Sequence, residues 1–170
     1  MFNHHLYNCF FIFLFIFFVS GCSQSDDQRK FEQEAFQLPE GITQTNGRGQ
    51  VVNDNVDPDD WRVAPFFQGV VQVDPAYPNP VLTNDRVTLD IHITGLDAVS
   101  GIQIHALHNI NQLSPTIYSD NRSPIPPGLL SISINPLNIP QTPENPQGRY
   151  RIIVFDRNYN VITYGDIEIE

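Results

Sequence analysis

The chain has 170 residues, with nineteen Asp and Glu against nine Lys and Arg, for a formal net charge of −10. All of these charged residues follow Cys22, so a chain processed there keeps its full negative charge, which argues against nucleic acid or anionic lipid headgroups as partners. The only cysteines are Cys9 and Cys22, so the folded part offers no disulfide, thiol nucleophile or cysteine metal ligand.

An apolar run from Cys9 to Val19 dominates the N-terminal region and is closed by Val19-Ser20-Gly21-Cys22. Eleven residues are too few for a helix across the ~30 Å core of a bilayer, whereas they suit the apolar part of a secretory signal. The order aliphatic, small, Gly, Cys resembles the lipobox of bacterial lipoproteins. That resemblance implies a signal peptide over residues 1–21, acylation of Cys22 and anchoring in the outer membrane. The alternative is an uncleaved anchor in which Cys22 is an ordinary thiol.

Residues 22–60 are predicted to form a lipidated, flexible tether, because the first residues after Cys22 are polar and lack hydrophobic periodicity. Asp26 and Asp27 resemble the acidic export signal that sends some Gram-negative lipoproteins to the cell surface, although solubility alone would also supply two carboxylates. Within the tether, Phe31, Ala35 and Leu38 recur at helical spacing and predict a short helix over residues 28–38.

Two turn signals follow this helix. Asn46-Gly47 stands between short β-prone runs and predicts a hairpin. The acidic stretch from Asp54 to Asp60 contains oxygen ligands of the kind that calcium prefers, but its spacing differs from that of the regular calcium-binding loop. An acidic turn that is solvated or caps the next segment is the favoured interpretation.

Residues 61–170 contain short strand-like segments separated by Pro, Gly, Asn and Asp, and no segment of helical length. Alternation is clearest from Val87 to Ile93, where the apolar residues share one face. About seven such segments predict an all-β fold, an immunoglobulin-like antiparallel β-sandwich. The Pro-rich link from Asn135 to Gly148 is predicted to carry the chain from one sheet to the other.

Two motifs in this region resemble the C-terminal sorting domain of the type nine secretion system. They are the turn Tyr77-Pro78-Asn79-Pro80 leading into an alternating strand, and the late strand that begins Gly148-Arg149-Tyr150 and runs into a hairpin. The resemblance implies a small β-sandwich and a sorting function. A rigid turn entering a strand accounts for the first motif equally, since proline fixes its own φ angle.

No catalytic or metal-binding constellation stands out in the sequence. His92 and His105 are expected on different sheets with outward side chains, and His105 with His108 lacks the further ligands that zinc requires. No Ser stands in a local signature beside a base, and no Gly-rich phosphate loop occurs. The sequence therefore predicts a non-enzymatic protein with no cofactor and no metal.

Aromatic residues remain as candidates for recognition. Tyr118, Tyr159 and Tyr164 could lie on loops or an outer face and stack against sugar rings, although most such tyrosines are amphipathic edge residues. The expected function is that of a lipid-anchored interaction or accessory module of the cell envelope, on the cell surface or facing the periplasm. Its expected partners are the membrane, through the anchor, and an envelope protein or glycan. The alternatives are a carbohydrate-binding module and a secretion-associated sorting module.

Overall fold

The computed structural model of the chain describes residues 23–142 and 144–170, so the predicted signal peptide and Cys22 lie outside the described residues. Within these residues, one α-helix precedes eight β-strands, and two single turns of 3-10 helix occur at Pro65–Phe67 and Pro136–Asn138. The helix and strands are α1 (Ser23–Ala35), β1 (Val71–Val73), β2 (Val87–Ile93), β3 (Ile102–Asn109), β4 (Gln112–Leu113), β5 (Tyr118–Asp120), β6 (Gly128–Ile134), β7 (Gly148–Phe155) and β8 (Val161–Ile169). No described helix is both long enough and apolar enough to span a membrane.

The strands form two antiparallel sheets. Strands β1, β2 and β6 make a three-stranded sheet in the order β1-β2-β6. The second sheet has the order β4-β3-β7-β8, with β5 also paired to β3. Successive strands thus divide between the sheets as in immunoglobulin-like domains, and the predicted β-sandwich is confirmed.

Alternation along the strands places one side of each sheet in a common core. Ile91 and Ile132 from the three-stranded sheet and Ile104 and Val154 from the other are all buried, as their positions in the alternation predict. Opposite-face residues of β2, namely Thr88, Asp90 and His92, are half-buried. The register read from the sequence is therefore correct in both sheets.

The long Pro-rich link does cross between the sheets, since it joins β6 of the three-stranded sheet to β7 of the other. Its end is fixed by Tyr150, whose hydroxyl donates to the carbonyl of Pro146 at 3.0 Å. A tyrosine near the start of this strand that bonds a few residues upstream is the tyrosine corner of immunoglobulin-like sandwiches. This contact gives Tyr150 of the Gly148-Arg149-Tyr150 motif a structural role.

Helix α1 differs from the predicted one in its bounds, because it covers Ser23–Ala35 where the sequence predicts residues 28–38. Its apolar side, Phe31 and Ala35, is buried against the five-stranded sheet, on the side away from the core. The ring of Phe31 lies 5.0 Å from that of Tyr164 on β8. The helix thus adds a third layer to the sandwich.

Residues 40–60 also lie along the sandwich. The Asn46-Gly47 turn is present as a single bridge between Thr45 and Val51, without regular strands. The Tyr77–Pro80 turn anchors this segment through Asn79, whose Nδ2 donates to the carbonyls of Thr43 and Asp166 at 3.0 and 2.9 Å. The turn is thereby a fixed junction between the N-terminal segment and β8.

The outer edge of β8 is capped by two earlier segments. Trp61 and Ala64 donate backbone hydrogen bonds to the carbonyls of Tyr164 and Ile162, at 2.7 and 2.9 Å. Further along, the N–H of Val81 donates to the carbonyl of Glu168 at 2.8 Å. Trp61 is buried against Gly165, where an added Cβ would lie 2.3 Å from the indole ring, so only glycine permits this approach.

Candidate functional site

A polar network lies beneath α1, on the outer face of β7 and β8. Its centre is the ion pair of Arg151 and Asp166, which face each other across the two strands. The guanidinium donates from Nε and Nη2 to the two carboxylate oxygens at 2.7 and 2.8 Å. Both side chains are almost fully withdrawn from solvent. A bidentate geometry of this kind is the one that can offset the desolvation of both charges.

Asp60 brings the N-terminal segment into the same network. Its two carboxylate oxygens accept from the backbone N–H groups of Thr43 and Asp166, at 2.6 and 2.7 Å. Burial raises the pKa of Asp60 to about 7, with further raising by the carboxylates of Asp166 and Asp57 and lowering by those two N–H groups. Burial likewise raises the pKa of Asp166, and its ion pair with Arg151 opposes that rise.

Arg62 and Glu34 connect the network to the helix. The Arg62 guanidinium donates to Glu34 on α1 at 2.9 Å and also to the hydroxyl of Tyr164. Arg151 donates to the backbone carbonyl of Glu34 at 3.1 Å and lies 5.0 Å from the centre of the Tyr164 ring. These contacts join helix, loop and sheet, so the network serves to hold three segments of the chain together.

A polar cavity of about 250 Å³ opens beside this network, with Glu34, Asp57, Asp59, Arg151 and Tyr164 among its lining residues. Carboxylates could in principle hold a cation there. Among the described residues, however, no group of three or more His, Cys, Asp or Glu side chains has an arrangement suited to a metal ion. The arrangement is that of a structural ion-pair network.

The acidic stretch from Asp54 to Asp60 acts partly as a cap. Asp57 accepts from the backbone N–H of Asp59 at 2.9 Å, and Asp60 accepts the two N–H groups given above. Asp54 and Asp59 are exposed. The favoured interpretation of this stretch as an acidic turn that caps a neighbouring segment agrees with these contacts.

An apolar groove of about 550 Å³ lies between the C-terminal half of α1, the residues after it and the β3–β4 turn. Phe36 is half-buried at its base, while Leu38 and Ile110 are exposed at its walls. Leu38, predicted as part of the helix, follows it instead. The groove could accept an apolar side chain, and its polar rim comes from Arg29, Glu32 and Glu40.

The three histidines of the described residues, His92, His105 and His108, occupy separate environments. His92 and His105 do lie on different sheets, and His92 contacts Asp74 at 3.1 Å near the surface. The expectation that His105 is a surface residue is wrong, because α1 and Phe36 add a layer over that face and His105 is buried. Its Nδ1 donates to the carbonyl of Ser114 at 2.9 Å, and Nε2 of His108 donates to that of Ile139 at 2.8 Å. Each histidine thus has its own local partner.

Some predicted site residues of the N-terminal segment lie outside the residues that the structure describes. Cys22, the predicted lipidation site, is one of these. Asp26 and Asp27 are exposed near the start of α1, and Asp26 pairs with Arg29 one turn further along. The two carboxylates are accessible, on a helix where the sequence predicts a coil.

The predicted tyrosines do not share an exposed face. Tyr164 is buried beneath α1 at 1% exposure, and burial raises the pKa of its phenol. Tyr118 on β5 is half-buried against the core. Tyr159 is exposed in the β7–β8 turn, with its ring 6.2 Å from Phe155. The network around Tyr164 is not predicted from the sequence, although the apolar run from Ile152 to Phe155 in β7 is typical of a strand covered on both faces.

Comparison with known proteins adds little to this description. The chain matches no known protein family and no curated protein sequence. Among solved structures, a lytic polysaccharide monooxygenase from Jonesia denitrificans is similar at 18% identity with a TM-score of 0.32. The similarity covers 52% of this chain and 54% of that one, so this chain spans about half the length of the structure that it matches.

Proposed function

We propose that the protein is a lipid-anchored, non-enzymatic module of the outer membrane that binds a macromolecular partner in the cell envelope. The observation that carries this proposal is the apolar run closed by Val19-Ser20-Gly21-Cys22. A single acyl chain binds membranes only marginally, with an association constant of about 10⁴ M⁻¹, whereas two or more hold a protein firmly. The lipobox implies the firm kind of anchor.

The position of α1 supports this proposal. The structure describes the helix from Ser23, which follows the proposed acylation site in the chain, and the helix packs on the sandwich through Phe31 and Ala35. An anchor at Cys22 is therefore connected to the folded body by the helix itself. Asp26 and Asp27 remain exposed on that helix, where an export machinery could contact them.

A binding role also suits the way in which the chain uses its ionisable side chains. Arg151, Asp166 and Asp60 hold the helix, the loop and the sheet together. Exposed carboxylates are instead numerous at the surface, for example at Asp54, Asp85 and Glu144. With a net charge of −10, the protein suits a basic or neutral envelope protein, or a glycan, better than an anionic partner.

Substitution of Cys22 tests the anchor. Cys22→Ser should abolish incorporation of labelled palmitate and either release the protein from membranes or leave its precursor unprocessed. Cys9→Ser is the matched control, since that residue lies within the proposed signal peptide and should not affect labelling. Equal palmitate incorporation in wild type and Cys22→Ser would refute the anchor.

Surface export is tested by the double substitution Asp26→Ala and Asp27→Ala. Protease added to whole cells should digest the wild-type domain and spare the variant, if these carboxylates direct export. Glu144→Ala with Glu170→Ala removes two exposed carboxylates elsewhere and serves as the charge-matched control. Unchanged accessibility in the Asp26 and Asp27 variant would count against an export role.

The partner itself is accessible to crosslinking in intact cells, followed by identification of the captured molecule. We expect one envelope component to be enriched with the wild type and lost in Cys22→Ser, because release from the membrane removes the protein from its partner. A substrate turned over by the purified protein would overturn the non-enzymatic part of the proposal.

A carbohydrate-binding module is the alternative that an exposed aromatic side chain favours. Tyr159 stands in the β7–β8 turn with 65% exposure and could stack on a sugar ring. The protein would then be retarded on polysaccharide gels, and Tyr159→Ala would abolish the retardation.

The secretion-associated sorting module is the other alternative, and it would require residues 70–170 for surface display of a fusion. The Tyr77–Pro80 turn has a structural role through Asn79, so its presence alone does not favour sorting. Loss of display when residues 70–170 are deleted from a fusion, with stable expression of the remainder, would support that alternative.

A further inference from the structure

The end of the sandwich nearest to the start of α1 is defined by four connections, residues 66–69, 94–97, 121–127 and 156–160, and is called the anchor-proximal end below. Gln28 fixes its relation to the helix. Its Nε2 donates to the carbonyl of Val161, the first residue of β8, at 3.3 Å, and its Oε1 accepts from the N–H of Phe66 at 3.2 Å. The start of α1 therefore lies at this end.

Followed toward its N-terminus, α1 runs past the anchor-proximal end of the sandwich. Glu34, six residues after Gln28, contacts Arg151 further down the sheet, so the axis runs from the anchor-proximal end toward the opposite end. At 1.5 Å per residue, Ser23 lies about 8 Å along the helix beyond Gln28. Cys22 is the next residue in the chain, so an acylated Cys22 would hold this end of the domain close to the lipid headgroups.

Four large apolar side chains are exposed at this end, three on connections and one at the start of β6. They are Phe66, Leu96, Leu129 and Tyr159, with exposures of 47%, 83%, 59% and 65%. Strand register places them together at one end: Leu129 is opposite His92 near the end of β2, Leu96 follows β2, and Tyr159 lies between β7 and β8. Exposed apolar side chains also lie toward the opposite end, Val56 and Leu82 among them, so these four side chains supply contact groups while the direction of α1 selects the end.

The charged side chains also differ between the two ends of the sandwich. At the anchor-proximal end the exposed carboxylates of Asp26, Asp27 and Asp97 are accompanied by the exposed cations Arg29, Lys30, Arg122 and Arg157. Asp120 is paired with Arg122, and Asp156 is buried while it accepts from the N–H groups of Asn158 and Asn160 at 2.8 Å. The exposed carboxylates toward the opposite end include Asp54, Asp59, Asp85, Glu144 and Glu170. The negative charge that disfavours anionic headgroups is thus largely directed away from the anchor.

From the position of the helix, the four exposed apolar side chains and the charge distribution, we propose that the anchor-proximal end is a membrane-contacting surface that rests on the leaflet into which the acyl chains of Cys22 insert. This inference rests on the proposed lipid anchor. Apolar side chains that enter the headgroup region add to the affinity of an acyl anchor and fix the orientation of the domain. The acidic, opposite end would then face outward toward partners.

The test uses single introduced cysteines, since an acylated Cys22 leaves no other thiol in the mature chain. Leu96→Cys and Leu129→Cys report on the anchor-proximal end. Val56→Cys and Leu82→Cys, at 56% and 55% exposure, are matched controls toward the opposite end. Lipidated protein is bound to preformed vesicles of phosphatidylethanolamine and phosphatidylglycerol and treated with a membrane-impermeant maleimide. Labelling rates are compared with those of the same variants carrying both Cys9→Ser and Cys22→Ser, in buffer.

We expect vesicles to slow labelling severalfold at Leu96→Cys and Leu129→Cys and to leave Val56→Cys and Leu82→Cys unchanged. Equal rates at both ends in protein that carries labelled palmitate would overturn the membrane contact while leaving the anchor intact. Slow labelling of the anchor-proximal cysteines already in the protein that carries Cys9→Ser and Cys22→Ser would also overturn it, because another copy of the chain would then cover this end. Absence of palmitate at Cys22 would overturn the anchor and this inference together.

Discussion

Both sheets have polar residues on their outer faces, but the surroundings of these residues differ. On the three-stranded sheet, the outward residues Thr88 and His92 are half-buried and Ser131 is exposed. On the five-stranded sheet, the outward residues Arg151, Tyr164 and Asp166 are buried beneath α1. Polarity at an outward position therefore does not tell whether solvent or a further layer of protein covers it.

The largest expected effect is on the covered face. Arg151→Ala leaves the Asp166 carboxylate buried without its partner, and breaking a buried pair in this way costs about 3–5 kcal/mol. Arg86→Ala on the other sheet, where an exposed guanidinium bonds Ser133, should cost under about 1 kcal/mol. Urea unfolding of both variants measures the difference. A similar small loss in both would mean that α1 does not exclude water from the Arg151–Asp166 pair.

Removal of the Phe31 ring tests the helix that makes the two faces different. Phe31 is 6% exposed, so Phe31→Ala should destabilise the protein by about 3 kcal/mol and make residues 23–35 susceptible to proteolysis. Phe66→Ala, at an exposed aromatic residue, is the control and should have a much smaller effect in solution. Equal melting temperatures for the two variants would show that the helix contributes little to folding.

The pH dependence of stability should also distinguish the covered face. Because the pKa of Asp60 rises from 3.8 to about 7 on folding, the folded state binds a proton more tightly than the unfolded state. Its contribution to stability is thus fully present below about pH 4 and is lost as pH rises through 7, with a slope of at most about 1.4 kcal/mol per pH unit. Asp60→Asn removes the titration, so its unfolding free energy should change less over this interval. An unchanged slope would assign the effect to another group.

The smallest effects are expected on the open face. Thr88→Ala removes an outward side chain from β2 and should change stability by no more than about 0.5 kcal/mol. Tyr77→Phe, in the turn beside β2, removes the hydroxyl that donates to Asp90 at 2.9 Å, for a cost of about 1 kcal/mol. Chemical denaturation measures the free energy of unfolding of both variants. A larger loss from Thr88→Ala than from Tyr77→Phe would show that the Thr88 side chain makes a further stabilising contact.

Much of the core could be predicted from the sequence because period-two alternation records which strand face avoids water. The alternating run from Val87 to Ile93 predicts the buried face of β2, including Ile91, and the Pro-rich link from Asn135 to Gly148 predicts a crossing between the sheets. Strand β4 was missed because its two residues are too few to show any period.

The covered face could not be predicted in the same way. Alternation specifies the two faces of a strand but not what lies over the second face, so His105 was expected at the surface and Arg151 was not recognised as buried. The bounds of α1 were also misjudged, since the polar residues before Gln28 have no apolar period although they continue the helix. A continuous apolar run such as Ile152 to Phe155 is the signal that both faces are covered.

The capping of β8 by residues 61–64 and 81 has a consequence for solubility. A strand at the edge of a sheet with apolar residues on both faces presents unpaired backbone groups that can pair with another chain, which is a route to aggregation. Here Trp61, Ala64 and Val81 occupy that edge with hydrogen bonds of 2.7 to 2.9 Å. A fragment that begins at β1 would expose the N-terminal half of β8, from Val161 to Tyr164, to other chains. The N-terminal segment therefore protects the edge of β8 from pairing with other chains, and fragments for biochemical work should retain it.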